Sequence, residues 1–209
     1  MTYDAFDAAR DAMYDEISNE IYPEHRSIAI SEFTNERLQS YYVEKPNVMR
    51  PAVDAIQEGK RLQVNGHAGA AVVFFVTAIE VLLKATLLRP VVHGLVHSEG
   101  LAEVIVDQAL GQTGFDRYTK LLAKLFLELV EVDITSVSRA GCSIPLLVEC
   151  GGQQSLRNKI IHQGAPATPE QAEVARLVSV AVYELVVCPM LAKLQLHVIE
   201  HGEIRRREA

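Results

Sequence analysis

Apolar residues recur at helical spacing through nearly the whole chain, and no segment alternates convincingly with a period of two. The pattern predicts helices over residues 3–21, 25–42, 48–63, 67–89, 99–110, 115–131, 144–162 and 169–200. Pro23, Pro46 and Pro90 stand at predicted helix ends, and Asn65-Gly66 reads as a tight helix–helix connection. Thr168 to Gln171 has the chemistry of a helix start. Thr168 caps, Pro169 takes the first helical position, and the Gln171 side chain reaches back. Gly151-Gly152 is expected to break or kink the 144–162 segment, and Pro189 to kink the last helix.

Two of these helices, "AAVVFFVTAIEVLLKATLL" and "VARLVSVAVYELVVCPMLAKL", are apolar over wide arcs. Such helices need several neighbours to cover them, which means a bundle. The short turn between 48–63 and 67–89 makes those two antiparallel. The expected fold is therefore all-α, an up-and-down bundle over residues 47–204. Residues 1–46 form a helical N-terminal extension and 205–209 a basic tail.

Charge sharpens that division. The chain carries a net −7. Residues 1–46 hold −6 of it and the remaining 163 residues only −1. An anionic arm does not suit unaided, non-specific nucleic-acid binding, which depends on phosphate neutralisation. Any RNA contact must use a local basic patch or a partner. A solvated helix face is the plainer account of the acids of the arm. The three cysteines, Cys142, Cys150 and Cys188, are odd in number and form no CxxC pair, so a reduced, cytoplasmic protein is expected. The acidic N-terminus lacks the basic start of a signal peptide. The most apolar run, 66–79, is cut by Glu80 and Lys84 short of the roughly 20 residues a spanning helix needs, so no membrane is expected.

Little of the chain looks like chemistry except "SLRNKIIHQG", residues 155–164. A histidine can take a proton from a ribose 2′-hydroxyl, because its pKa lies near working pH. A guanidinium can stabilise the charge that develops on phosphorus. Arg157 and His162 supply those groups, and Asn158 can position either. On one straight helix, however, five residues at 100° place them about 140° apart and ~7.5 Å along the axis. A distorted helix end could aim both at one atom, and so could a dimer. Spacing alone decides nothing: such an arginine–histidine pair arises about once by chance in this composition, and Arg61…His67 is another. A structural helix end remains the competing account.

Context adds to the motif. "RNKIIHQG", the glutamate-bearing apolar helix "GAAVVFFVTAIEVLLKATLL" and the following long helix "PEQAEVARLVSVAVYELV" together resemble the HEPN family (higher eukaryotes and prokaryotes nucleotide-binding) over about residues 47–200. The resemblance implies a four-helix bundle, usually dimeric, with two motifs meeting at the interface. For active members it implies metal-independent endoribonuclease activity, in toxins or effectors of phage defence. Arg157 and His162 would then be catalytic, Asn158 the supporting polar position, and Glu80 a further candidate by helix position. RNA is the expected substrate, a second copy the expected partner, and an antitoxin or regulatory protein a further one. Neither cofactor nor metal is implied. Some family toxins carry a modifiable tyrosine two residues after the histidine, where this chain has Gly164. Some members are scaffolds or nucleotide binders rather than nucleases.

Four further features have plainer readings. Glu80 and Lys84 are spaced for an ion pair along one helix, unless Glu80 orients His162 or Arg157 across the bundle. His93 and His97 have the spacing of a metal pair but lack a third ligand at the right spacing, and read as loop histidines. Arg61…His67 straddles the Asn65-Gly66 turn and is read as the chance match. The arginines of "IRRRE", residues 204–208, read as a frayed tail.

Overall fold

A computed structural model describes residues 12–14, 16, 28, 32–96, 98–110 and 115–207. The chain forms two compact units, Met1–Arg37 and Leu38–Ala209. Of the first, the described residues are helical, and the Arg37 guanidinium lies 5.7 Å from the centre of the Phe33 ring. Most of the expected helix 3–21 lies outside the described residues.

The second unit is an all-α bundle finished by a short hairpin. Its helices are α1 (38–44), α2 (Arg50–Val64), α3 (Ala68–Leu95), α4 (Glu99–Leu110), α5 (Phe115–Val130), α6 (Leu146–Gln163) and α7 (Pro169–Lys193). The unit begins at Leu38 rather than at 47, because Leu38, Tyr41 and Tyr42 are buried in its core. Those side chains make residues 38–46 part of the bundle.

α2 and α3 pack tightly because α2 buries small residues: Ala52, Ala55 and Gly59. A Cβ at Gly59 would come within 2.7 Å of the Phe75 ring, so only glycine lets the two backbones approach. The Asn65-Gly66 turn joins them as expected, with Gly66 at φ 80°. Gly59 faces Phe75, while Met49 and Val53 share a cleft with Leu82, the order of an antiparallel pair.

Neither long apolar helix ends at its proline. α3 continues through Pro90 to Leu95, and α7 through Pro189 to Lys193. In both, a wider π-helical turn precedes the proline, over Leu82–Leu88 and Tyr183–Val187. A proline removes the donor that would return to the carbonyl four residues back, and a locally widened turn absorbs its ring. For Pro90 that carbonyl belongs to Thr86. The buried Tyr42 hydroxyl donates to it at 2.5 Å. Removing that hydroxyl leaves a buried carbonyl without this partner. Tyr42→Phe is therefore expected to cost about 1–3 kcal/mol, read as a lowered denaturant midpoint at unchanged slope.

α3 and α7 are also long and apolar enough to cross a membrane, by length and composition. In the fold, 61% and 50% of their most apolar windows are buried. They supply most of the core, with Phe126 and Leu122 of α5 and Leu146, Leu147 and Cys150 of α6 packed against them.

Three further expectations change. Gly151-Gly152 does not break α6, which runs continuously from Leu146 to Gln163. Leu146, Leu147 and Cys150 anchor its first turns in the core, and that packing outweighs the roughly 1 kcal/mol helix penalty of a glycine. The last helix stops at Lys193, not 200. Beyond it β1 (Leu196–Val198) pairs antiparallel with β2 (Ile204–Arg206), opposing Leu196 to Arg206, His197 to Arg205 and Val198 to Ile204. Arg205 and Arg206, expected in a basic tail, are thus strand residues of a hairpin. Leu196 and Ile204 are buried, and the Ile204 N–H donates to the Pro46 carbonyl at 2.9 Å. Strands of three residues are too short to register as an alternating pattern.

Candidate functional site

The Arg157–His162 stretch occupies the last two turns of α6. Leu156 and Ile160 point inward, onto a cluster made by Ala71, Val72, Phe75 and Val76 of α3 with Ala172 and Ala175 of α7. That alternation turns Asn158, Lys159 and His162 outward, all three exposed, and leaves Arg157 half-buried. The helix then ends on Gly164, at φ 66°, with the Gly164 N–H donating to the Ile160 carbonyl at 3.2 Å. A left-handed cap of this kind favours glycine. Gly164 is the residue that closes the helix.

Because α6 stays helical to Gln163, a distorted helix end does not bring Arg157 and His162 together. They diverge by about 140° on one helix. Arg157 Nη1 donates to Asn158 Oδ1 at 3.2 Å. The Nε of Arg157 is shielded from solvent and has no hydrogen-bond partner. Arg157, Lys159 and His162 form no ion pair among the described residues, and the end of α6 is therefore locally cationic on an anionic chain.

Glu80 lies across the α3–α6 interface. It accepts a hydrogen bond from Gln154 Nε2 at 3.0 Å, one turn before Arg157. Its described hydrogen bond is neither to Arg157 nor to His162. Its effect on them would pass through the seating of α6.

Sequence reasoning missed the ion pairs that frame this helix. At its start, Arg139 Nε spans both oxygens of Glu149, at 3.0 and 2.9 Å, with the Glu149 side chain 7% exposed. At the far end, Gln63 of α2 donates to Glu173 of α7 at 2.9 Å, and Arg176 holds the same carboxylate at 2.6 and 2.8 Å. Arg176 first, then Gln63, pull the Glu173 pKa from 4.5 to about 2. A depressed carboxylate contributes stability that is present above its unfolded value and lost as pH falls through the folded one. The Glu173 side chain is 42% exposed, so screening keeps the contribution below about 1 kcal/mol. The difference in Tm between wild type and Glu173→Gln is expected to hold at neutral pH and shrink as pH falls from 4.5 toward 2.

The other candidates separate. Arg61 is held by Glu58 at 2.6 Å, and His67 is the exposed N-cap position of α3, beyond the turn. A Cβ at Gly69 would meet Ile160 at 3.7 Å, so the start of α3 lies beside the end of α6 and puts His67 at the same end of the bundle as His162. His93 is a helical residue of α3, not a loop histidine. Its ring packs on Tyr41 at 5.3 Å, and its Nε2 lies 3.5 Å from Glu103, which Arg89 also holds at 2.8 Å. His97 lies outside the described residues. Among the described residues no three histidine, cysteine or acidic side chains gather as metal ligands. The cysteines are free, and burial pushes the Cys150 thiol up to about 12, far from a reactive thiolate.

Compared with known proteins, the chain matches no family model, no curated protein and no solved structure.

Proposed function

We propose that the chain is a metal-independent endoribonuclease of HEPN type, working as a homodimer that pairs Arg157 of one protomer with His162 of the partner subunit. His162 takes the proton of a ribose 2′-hydroxyl, whose oxygen attacks the adjacent phosphorus. The bond to the 5′-oxygen breaks, and that oxygen leaves as a 5′-hydroxyl after taking a proton. The other product ends in a 2′,3′-cyclic phosphate. Arg157 stabilises the charge that builds on the phosphoryl oxygens, a guanidinium being shaped for two of them at once. Asn158 steadies Arg157, and Glu80 steadies α6 through Gln154.

One observation carries this reading. Arg157 and His162 form no ion pair among the described residues, which leaves the last two turns of α6 cationic on an anionic chain and open to a phosphate. The biological role follows the resemblance: a toxin or phage-defence effector restrained by an antitoxin or regulatory protein. The test is RNA cleavage in EDTA by wild type, Arg157→Ala and His162→Ala, with end-group analysis. Wild type alone should cleave and leave cyclic phosphate ends; cleavage by folded His162→Ala protein would sink the mechanism. A second reading, a non-catalytic interaction or nucleotide-binding module, is favoured by the divergence of the two groups on a single helix. It predicts RNA left intact by all three proteins.

A further inference from the structure

The hairpin at the end of the chain gathers a second cationic surface. Arg205, Arg206 and Arg207 are exposed in succession, and with His197 and Ile199 they line a cleft of about 490 Å³. Register puts His197 opposite Arg205. Since side chains alternate along a strand, Arg207 falls on that same outward face and Arg206 on the other. The platform is fixed. Leu196 and Ile204 are buried beneath it, Ile199 N–H donates to the Glu203 carbonyl at 2.8 Å, and Arg207 N–H donates to the Gln195 carbonyl at 2.9 Å.

The fold leaves this cluster under-compensated. Glu203 holds Arg205 at 2.7 Å, whereas Arg206 and Arg207 have no ion pair among the described residues. Glu200, exposed in the connecting turn, is the other described acid of the hairpin. The Nδ1 of His197 is shielded and has no hydrogen-bond partner among the described residues. Arg205 and Arg207 share the outward face, and like charges on one face repel unless an anion lies between them. Forked donors of this kind match phosphate oxygens two at a time.

We propose that the hairpin is a phosphate-backbone contact that holds single-stranded RNA at the opposite end of the bundle from the α6 motif. α7 separates the two ends, and its 25 residues span roughly 37 Å at 1.5 Å per residue. The contact is therefore one of binding, remote from any bond broken at His162. The choice of RNA as the phosphate carrier rests on the endoribonuclease reading; the anion site itself rests on the hairpin.

The experiment measures binding of a fluorescent oligouridine to full-length His162→Ala protein in EDTA, between about 50 and 200 mM salt. The same protein with Arg205→Gln, Arg206→Gln and Arg207→Gln together is compared, with Tm checked on both. Three lost phosphate contacts at about 0.7 each should flatten the slope of log K against log salt by about 2. Glu203→Gln, which frees Arg205, should tighten binding. Inorganic pyrophosphate should compete with the RNA on the parent protein and not on the triple variant. Equal affinity and slope in parent and triple variant would overturn the proposal, as would no oligouridine binding by the parent. Cleavage is not read in this assay. A triple variant that binds RNA normally while wild type cleaves would remove only the hairpin site. Loss of binding without any cleavage by wild type would keep the site and remove the nuclease.

Discussion

A one-to-one mixture of Arg157→Ala and His162→Ala proteins, allowed to exchange subunits, is expected to recover about a quarter of wild-type RNA cleavage although neither variant cleaves alone. Each substitution by itself should cost on the order of 10²–10⁴ in rate, the range for a lost general base or a lost charge-stabilising donor. Recovery follows from geometry. α6 is regular to Gln163, so one helix does not aim both side chains at one phosphate. In the proposed two-fold dimer each site would take its arginine from one protomer and its histidine from the partner subunit. Half of the exchanged dimers would be mixed, and each mixed dimer would hold one intact site and one doubly dead site. An active protein whose mixture stays dead would place both groups within one protomer. It would then require α6 to unwind near His162.

The second large effect lies in the packing beneath that helix. Phe75→Ala is expected to destabilise the protein by about 3–5 kcal/mol, the usual cost of emptying a buried phenylalanine site. Phe75 is fully buried, seated over Gly59 of α2, and central to the cluster that receives Leu156 and Ile160 of α6. For a chain of this size the loss should lower Tm by roughly 6–20 °C. Gly59→Ala in the wild-type protein pushes a methyl to 2.7 Å from the ring and should also destabilise. In the Phe75→Ala background the same methyl fills vacated space, so the two changes together should cost less than their sum. Strict additivity would mean that the two helices do not meet there. Since Leu156 and Ile160 rest on this cluster, Phe75→Ala should also weaken cleavage well below the melting temperature.

Several features were legible because their physics is local. The cap at Thr168 needs only four residues, and both of its hydrogen bonds form, with Gln171 N–H donating to Thr168 Oγ1 and Thr168 N–H donating to Gln171 Oε1. Asn65-Gly66 supplies the one backbone conformation its turn requires. The wide apolar arcs of α3 and α7 could only be covered by other helices, which settles the fold class. Pro90 and Gly151-Gly152 were misleading for the converse reason. Proline and glycine penalties are a few kcal/mol at most, and a hydrogen bond from Tyr42 or the anchoring of Leu146 and Leu147 offsets them. Neither compensation has a signature within its own segment.

By itself, the sequence determined the helical architecture, the turns and caps, the charge division between arm and bundle, and the presence of an arginine, an asparagine and a histidine near one helix end. Only the tertiary structure decided which way those side chains face, since burial of Leu156 and Ile160 against α3 and α7 turns His162 outward and half-buries Arg157. It alone sent Glu80 to Gln154 and made a strand of the terminal arginines, through Ile204 burying itself beside Pro46. These are contacts between residues distant in sequence. Their energy comes from excluded water and from hydrogen bonds that exist only after the chain has folded, and no local pattern records them.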